Sequence, residues 1–226
     1  MTVLSVKDLN VSFSTEEGRL HALKNVTFDV PKGRIVGIVG ESGCGKSTLI
    51  NSVLGLLAKN GRIDSGSILF DGQNELTALG PTEMRALRGL RISTVFQDPM
   101  GALNPVISVG AQMVNIQYRS NLSRAEKRAK AVAILKQVRI PDAEAALDRY
   151  PHQFSGGMKQ RIAIAMALMM EPALLIADEP TTALDATLEV ATIELLQELQ
   201  QKIGCSVLFI SHHLGVIAEL CEDVVV

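Results

Sequence analysis

Three apolar runs set the frame of this chain: Ile35-Val36-Gly37-Ile38-Val39, Leu174-Leu175-Ile176-Ala177 and Ser206-Val207-Leu208-Phe209-Ile210. Such runs, without polar alternation, are expected of strands buried on both faces, as in a parallel sheet. Val3 to Phe13 and His21 to Val30 instead alternate apolar and polar residues, as half-buried strands do, and a polar turn from Ser14 to Gly18 joins them. Ser67 to Phe70 reads as a short strand closed by Asp71-Gly72, after a loop from Gly61 to Ser65. Ile92 to Phe96 reads as another strand. Val224-Val225-Val226 begins one more, so the C-terminal end reads as truncated inside a strand.

Helical spacing fills the rest. Thr48 to Leu57 carries Leu49, Val53, Leu56 and Leu57 on one face, and Pro81 to Arg88 has proline in its first turn with Gly89 beyond its end. From Asn104 to Glu171 the pattern is helical throughout. There Ser123-Arg124-Ala125-Glu126 forms a capping box, ahead of Ala129, Val132, Ala133 and Lys136 at helical spacing. Asp185 caps a helix whose Leu188, Ala191, Leu195, Leu196 and Leu199 share a face, and Gly204 stops it. The pattern predicts one α/β domain over residues 1–226: a core (1–97 and 172–226) with an N-terminal antiparallel β portion, and an inserted helical subdomain over about 98–171.

Composition narrows the function. Of 226 residues, 47% are hydrophobic, enough for a substantial core. Lys+Arg 22 against Asp+Glu 24 leaves a net charge of −2, with no basic excess for nucleic acid and no polybasic membrane patch. Mean hydropathy is high at +0.23, yet Glu171-Pro172 interrupts the longest apolar stretch, Ile162 to Met170, well short of a membrane span. The first residues lack a secretory layout, and Cys44, Cys205 and Cys221 form neither a metal pattern nor a disulfide framework, which predicts a cytoplasmic setting.

The chemistry starts at Gly40-Glu41-Ser42-Gly43-Cys44-Gly45-Lys46-Ser47, between a buried strand and a helix. This is the arrangement of a phosphate-binding P-loop. Its glycines let successive N–H groups turn inward as an anion nest, and the helix N-terminus adds free donors and partial positive charge. Lys46 is expected to reach the β- and γ-phosphates of a nucleotide and Ser47 to hold Mg²⁺. Asp178 and Glu179 stand where the strand 174–177 ends, at the sheet edge that carries the P-loop, where one carboxylate orients Mg²⁺ and the other polarises water. Phe154-Ser155-Gly156-Gly157-Met158-Lys159-Gln160 places Ser155 and two glycines at a further helix N-terminus; a second anion site and a plain helix cap both fit it. Phe13 reads as a core residue or a turn-side aromatic.

In this order the motifs resemble the nucleotide-binding subunit of an ABC (ATP-binding-cassette) transporter, over essentially the whole chain. Phe96-Gln97-Asp98-Pro99-Met100, Leu103-Asn104-Pro105 and Tyr150-Pro151-His152-Gln153 resemble the dipeptide/oligopeptide/nickel importer branch. The resemblance implies a P-loop NTPase core that binds ATP and Mg²⁺ and hydrolyses ATP to drive uptake of peptides or a related small solute. It implies that Phe13 stacks on adenine and that Gly40, Ser42, Gly43, Cys44, Gly45, Lys46, Ser47 and Thr48 bind the nucleotide. Ser47, Gln97 and Asp178 hold the metal, and Glu179, His212 and Gln97 carry the hydrolysis. Ser155, Gly156, Gly157 and the D-loop Asp185 act in trans on a second cassette, identical or a sibling. Two transmembrane permease subunits and, indirectly, a solute-binding protein are the implied partners, with no nucleic acid, on the cytoplasmic face of the cell membrane. A soluble ABC ATPase acting on nucleic acid or the ribosome is the alternative, and the missing basic excess counts against it. Two positions depart from the pattern: Phe154 replaces a leucine, and His213 stands where the branch commonly carries an acid and receives no role.

Overall fold

The computed structural model describes residues 1–41, 43–181 and 185–226, without the side chains of Pro99, Met100, Ala186 and Thr187. Its chain order runs β1 (Thr2–Thr15), β2 (Gly18–Pro31), β3 (Ile35–Val39), α1 (Lys46–Leu54), β4 (Gly61–Phe70), β5 (Asn74–Glu75), α2 (Pro81–Leu87) and β6 (Ile92–Val95). It continues through α3 (Pro99–Ala102), α4 (Val109–Ile116), α5 (Arg124–Gln137), α6 (Ala143–Ala146) and α7 (Gly156–Leu168). It closes with β7 (Leu174–Asp178), α8 (Ala186–Ile203), β8 (Ser206–Ser211), α9 (Leu214–Leu220) and β9 (Asp223–Val225).

Two sheets result. An antiparallel sheet takes the order β2-β1-β4-β5, and a parallel sheet the order β6-β7-β8-β3-β9. The three apolar runs are the three inner strands of the parallel sheet, and their period of two explains why they lack polar positions. Leu174, Ile176, Val36, Ile38, Leu208 and Ile210 point to one core, shared with α1 and the antiparallel sheet. Leu175, Ala177, Ile35, Val39, Val207 and Phe209 point to the other, shared with α4 to α9. Both faces are dry, so both parities must be apolar.

Helix α1 has nine residues, too few to hold its shape alone in water, where ~12–15 are needed. Burial of Leu49, Ile50, Val53 and Leu54 holds it, at about 1.5–3 kcal/mol per side chain. It starts and ends earlier than its periodicity predicted: Gly55 caps it in the left-handed region (φ 62°), and Leu56 lies outside it, 46% exposed.

The loop expected at Gly61–Ser65 is instead the first half of β4, paired with β1 from Asn10↔Ser65 to Phe13↔Gly61. Its polarity reflects a solvated face, where Arg62 Nε donates to Asp64 Oδ1 at 2.7 Å. The register shifts beside Gly66 (φ 95°), where a Cβ would strike the carbonyl oxygen of Asp8 at 2.5 Å. Only glycine passes there.

Nor is the segment after Asn104 helical throughout, since irregular links separate α4, α5, α6 and α7. The capping box on α5 is present, with Glu126 N–H donating to Ser123 Oγ at 3.3 Å and Ser123 N–H to Glu126 Oε2 at 2.7 Å. The buried face of α5, however, is Ala131, Ile134 and Leu135, continued by Val138, while Ala129, Ala133 and Lys136 are exposed. Among the described residues no helix is long and apolar enough to cross a membrane.

Candidate functional site

Four adjacent strands of the parallel sheet deliver the site. Ala177 lies beside Val95 and Phe209, Asp178 beside Ile210, and Ser211 beside Val39. The carboxyl ends of β6, β7, β8 and β3 therefore form one row, and the segments leaving them carry Gln97, Glu179, His212 and the glycine-rich loop. Ligands of open α/β sheets bind along that row.

The loop after β3 turns through Gly43 (φ 86°) and Gly45 (φ 107°) into α1. At Gly45 a Cβ would meet Leu23 Cδ2 at 2.8 Å and the Ala22 carbonyl oxygen at 2.9 Å, so the loop packs flush on β2. No side chain caps α1, and its first turn has no acid, which leaves its N–H donors and partial positive charge directed out of the helix. The Lys46 ammonium folds back over the loop and donates to the carbonyl oxygens of Gly40 at 2.6 Å and Glu41 at 2.9 Å.

A cavity of about 590 Å³ opens over this loop, lined by Glu41, Gly43, Gly45, Lys46, Ser47, Thr48, Gln97, Glu179 and His212. Glu179 sits at its centre with a side chain only 14% exposed. Its Oε2 accepts from Gln97 Nε2 at 3.2 Å and lies 3.2 Å from His212 Nδ1. Its backbone is left-handed (φ 45°), a strained conformation for a residue with a Cβ, anchored by the N–H that donates to the Ile210 carbonyl at 2.9 Å. Asp178, at the end of β7, lies behind it. Burial and the neighbouring Glu179 charge push the Asp178 carboxyl above the usual carboxylate range, and Lys46 pulls it back.

The donors present suit a magnesium ion carried in by a nucleotide. Ser47, Asp178 and Gln97 offer hard oxygen atoms, whereas no cluster of three His, Cys, Asp or Glu among the described residues could hold a metal by itself. Such an ion relies on phosphate oxygens for much of its shell.

The remaining predicted residues fall outside the lining. Cys44 is exposed on the loop, its Sγ 4.0 Å from Lys46 Nζ, and Gly40 lies directly beneath it. Phe13, partly buried, covers Gly61 in the antiparallel sheet. Ser155 caps α7, its Oγ accepting from Met158 N–H at 3.4 Å, with Gly156 exposed and Gly157 buried against Leu188. Asp185 caps α8 through Leu188 N–H at 3.0 Å. Ser42 and residues 182–184 of the D-loop stretch lie outside the described residues. Glu41, given no role from the sequence, lines the cavity, and Gln160 of the Ser155-Gly156-Gly157 motif donates from α7 to the Pro180 carbonyl just past Glu179, a contact no spacing encodes.

The family described as ABC transporter matches residues 23–182. The chain is 49% identical to the dipeptide transport ATP-binding protein DppD of Bacillus subtilis (strain 168), over 99% of this chain and 67% of that protein. It is 46% identical to the oligopeptide transport ATP-binding protein OppD of Escherichia coli (strain K12), over 99% of this chain and 66% of that protein. The chain thus spans about two thirds of the length of these relatives. Among solved structures it resembles a dimeric ATP-binding cassette in a post-hydrolysis state bound to ADP and Pi, with a TM-score of 0.84 at 30% identity, over 98% of this chain and 93% of that one. From the P-loop to the row of strand ends, and over 99% of its length, the chain belongs to the ABC transporter family, in the branch of the dipeptide and oligopeptide transport ATP-binding proteins.

Proposed function

We propose that this chain binds MgATP in the cavity over α1 and hydrolyses it to drive the uptake of peptides, or of a related small solute, through membrane partners. The observation that carries this reading is the convergence of Lys46, Gln97, Glu179 and His212 on one cavity from four adjacent strand ends. In this reading Gly40, Ser42, Gly43, Cys44, Gly45 and Thr48 surround the phosphates with backbone donors, while Lys46 leaves the Gly40 and Glu41 carbonyls for the β- and γ-phosphates. Phe13 stacks on the adenine. Ser47 and Asp178 hold Mg²⁺ directly or through water, and Gln97 completes that shell. When bound, the ion neutralises charge building on the phosphate oxygens. Glu179 orients the attacking water and polarises it, and His212 fixes that water against the γ-phosphate. Positioning and charge placement supply most of the rate in such transfers.

The assembly belongs to the proposal as well. Ser155, Gly156, Gly157 and Asp185 act on the nucleotide of a second cassette, identical or a sibling. The helical subdomain over about 98–171 receives a segment of one of two permease subunits near Gln97–Pro105, which places the chain on the cytoplasmic face of the membrane. A solute-binding protein takes part indirectly.

Cys44 provides a direct test of where the nucleotide sits. It is exposed in the loop that the phosphates would cover, so a maleimide should alkylate it readily in the apo protein and at least ~10-fold more slowly with saturating MgATP. Peptide mapping by mass spectrometry separates Cys44 from Cys205 and Cys221. Equal labelling with and without MgATP contradicts nucleotide binding at this loop.

A further inference from the structure

His213 belongs to none of the roles above, yet it is held on two sides. Its backbone N–H donates to Ser211 Oγ at 3.0 Å, and its imidazole meets the His212 ring edge to face, centroids 4.3 Å apart at 83°. Its Nδ1 lies 3.7 Å from Glu189 Oε1, longer than a hydrogen bond but still against the carboxylate. Glu189 is itself fixed: it sits in the first turn of α8, 18% exposed, and Oε1 accepts from the hydroxyl of the buried Thr181 at 2.8 Å. A continuous chain of contacts therefore runs from Thr181 and Glu189 on the α8 side, through His213, to His212 and on to Glu179 Oε2.

We propose that His213 is a positioning residue: it links the Glu189 carboxylate at the start of α8 to the His212 ring, and so holds His212 in the orientation that faces Glu179. His212 is 42% exposed and follows a strand end, so its own surroundings leave the ring room to turn. The His213 ring closes off part of that freedom, and Glu189 keeps His213 from swinging away. Glu189 sits in the first turn of α8, so a shift of that helix would reach the Glu179–His212 pair through His213. The inference rests on the proposed role of Glu179 and His212 in hydrolysis.

The test uses the full-length protein and four variants: His213→Ala, His213→Phe, Glu189→Gln and the double variant His213→Ala/Glu189→Gln. Phenylalanine keeps a ring against His212 but offers nothing to Glu189, and the amide introduced by Glu189→Gln still accepts from Thr181 while carrying no charge. His213→Ala and Glu189→Gln should each lower kcat for ATP about tenfold with KM little changed, as expected for a displaced group of the hydrolytic machinery. His213→Phe should restore part of the lost rate through the ring contact alone, and the double variant should be no slower than His213→Ala, since one link is cut only once. A second readout does not depend on hydrolysis. The chain has four histidines, so nitrogen-15 spectra of its imidazoles are resolvable, with His212 assigned by His212→Gln. His213→Ala should broaden or move the His212 ring signals, and His213→Phe, which keeps a ring there, should return them in part. Unmoved His212 signals in His213→Ala overturn the positioning role whether or not the protein turns over ATP, and losses that multiply in the double variant overturn the link to Glu189. Absent hydrolysis by the wild type, with the His212 signals moving as described, contradicts the proposed function and leaves the positioning role standing.

Discussion

Replacing Glu179 by glutamine is expected to leave MgATP binding near wild type and to cut turnover by at least ~10², the usual loss when a positioned acid–base group is removed. The side chain keeps its length and its left-handed backbone, so the loop after β7 has no new reason to move. What changes is the charge beside the Gln97 amide and the His212 ring. Oε2 faces both Gln97 Nε2 and His212 Nδ1 at 3.2 Å, and an amide offers one oxygen where the carboxylate offers two. Nucleotide affinity measured by fluorescence, beside phosphate release under saturating ATP, separates the two effects. Turnover near wild type would remove Glu179 from its proposed role.

Mixing two inactive variants, Lys46→Ala and Ser155→Arg, is expected to restore hydrolysis. The N-terminus of α7 carries Ser155 and two glycines, and Ser155, Gly156 and Gly157 do not line the chain's own cavity. A Cβ at Gly156 would meet nothing within 4 Å, so this turn is open on its outer side, available to a phosphate brought by a second chain. Dimeric cassettes are among the solved structures this chain resembles. Lys46→Ala removes the ammonium that now rests on the Gly40 and Glu41 carbonyls, and Ser155→Arg fills the open turn with bulk and charge. Each variant alone should be nearly inactive. In a mixed pair, the wild-type loop of one chain faces the wild-type turn of the other. With random pairing half the dimers are mixed and each has one sound site of two, so activity should recover to about a quarter of wild type. Light scattering with MgATP first shows that the chain pairs with itself. If dimers form and mixing restores nothing, Ser155 does not complete the partner's site through independently working sites.

Much of this was readable in the residues because the physics is local or repetitive. Ile35–Val39, Leu174–Ala177 and Ser206–Ile210 had to be buried on both faces, and two cores meet on them. The glycine-rich loop is legible because its donors are backbone groups, which only Gly43 and Gly45 let turn this way. Asp185 and Ser123 cap helices because each reaches an N–H three residues on. The failures also have causes. Gly61–Ser65 looked like a loop because one face of β4 is solvated, and its pairing with Asn10–Phe13 depends on residues some fifty positions away. Helix α5 carries alanines on both faces, so its periodicity did not say which face Ile134 and Leu135 would bury. Phe13 lies against Gly61 in this chain alone, and its stacking role requires a bound base. The contact between His213 and Glu189 joins the loop after β8 to the first turn of α8, and no spacing in the sequence encodes it.

Peptide uptake into proteoliposomes, carrying the full-length protein with its co-expressed membrane subunits, tests the coupling of hydrolysis in this chain to transport. ATP is supplied on the side that bears this chain, and a labelled dipeptide or oligopeptide on the other. Uptake should require hydrolysable ATP and fall to background with Glu179→Gln, in step with phosphate release from the same vesicles. Uptake that persists without ATP, or that Glu179→Gln leaves unchanged, would contradict that coupling.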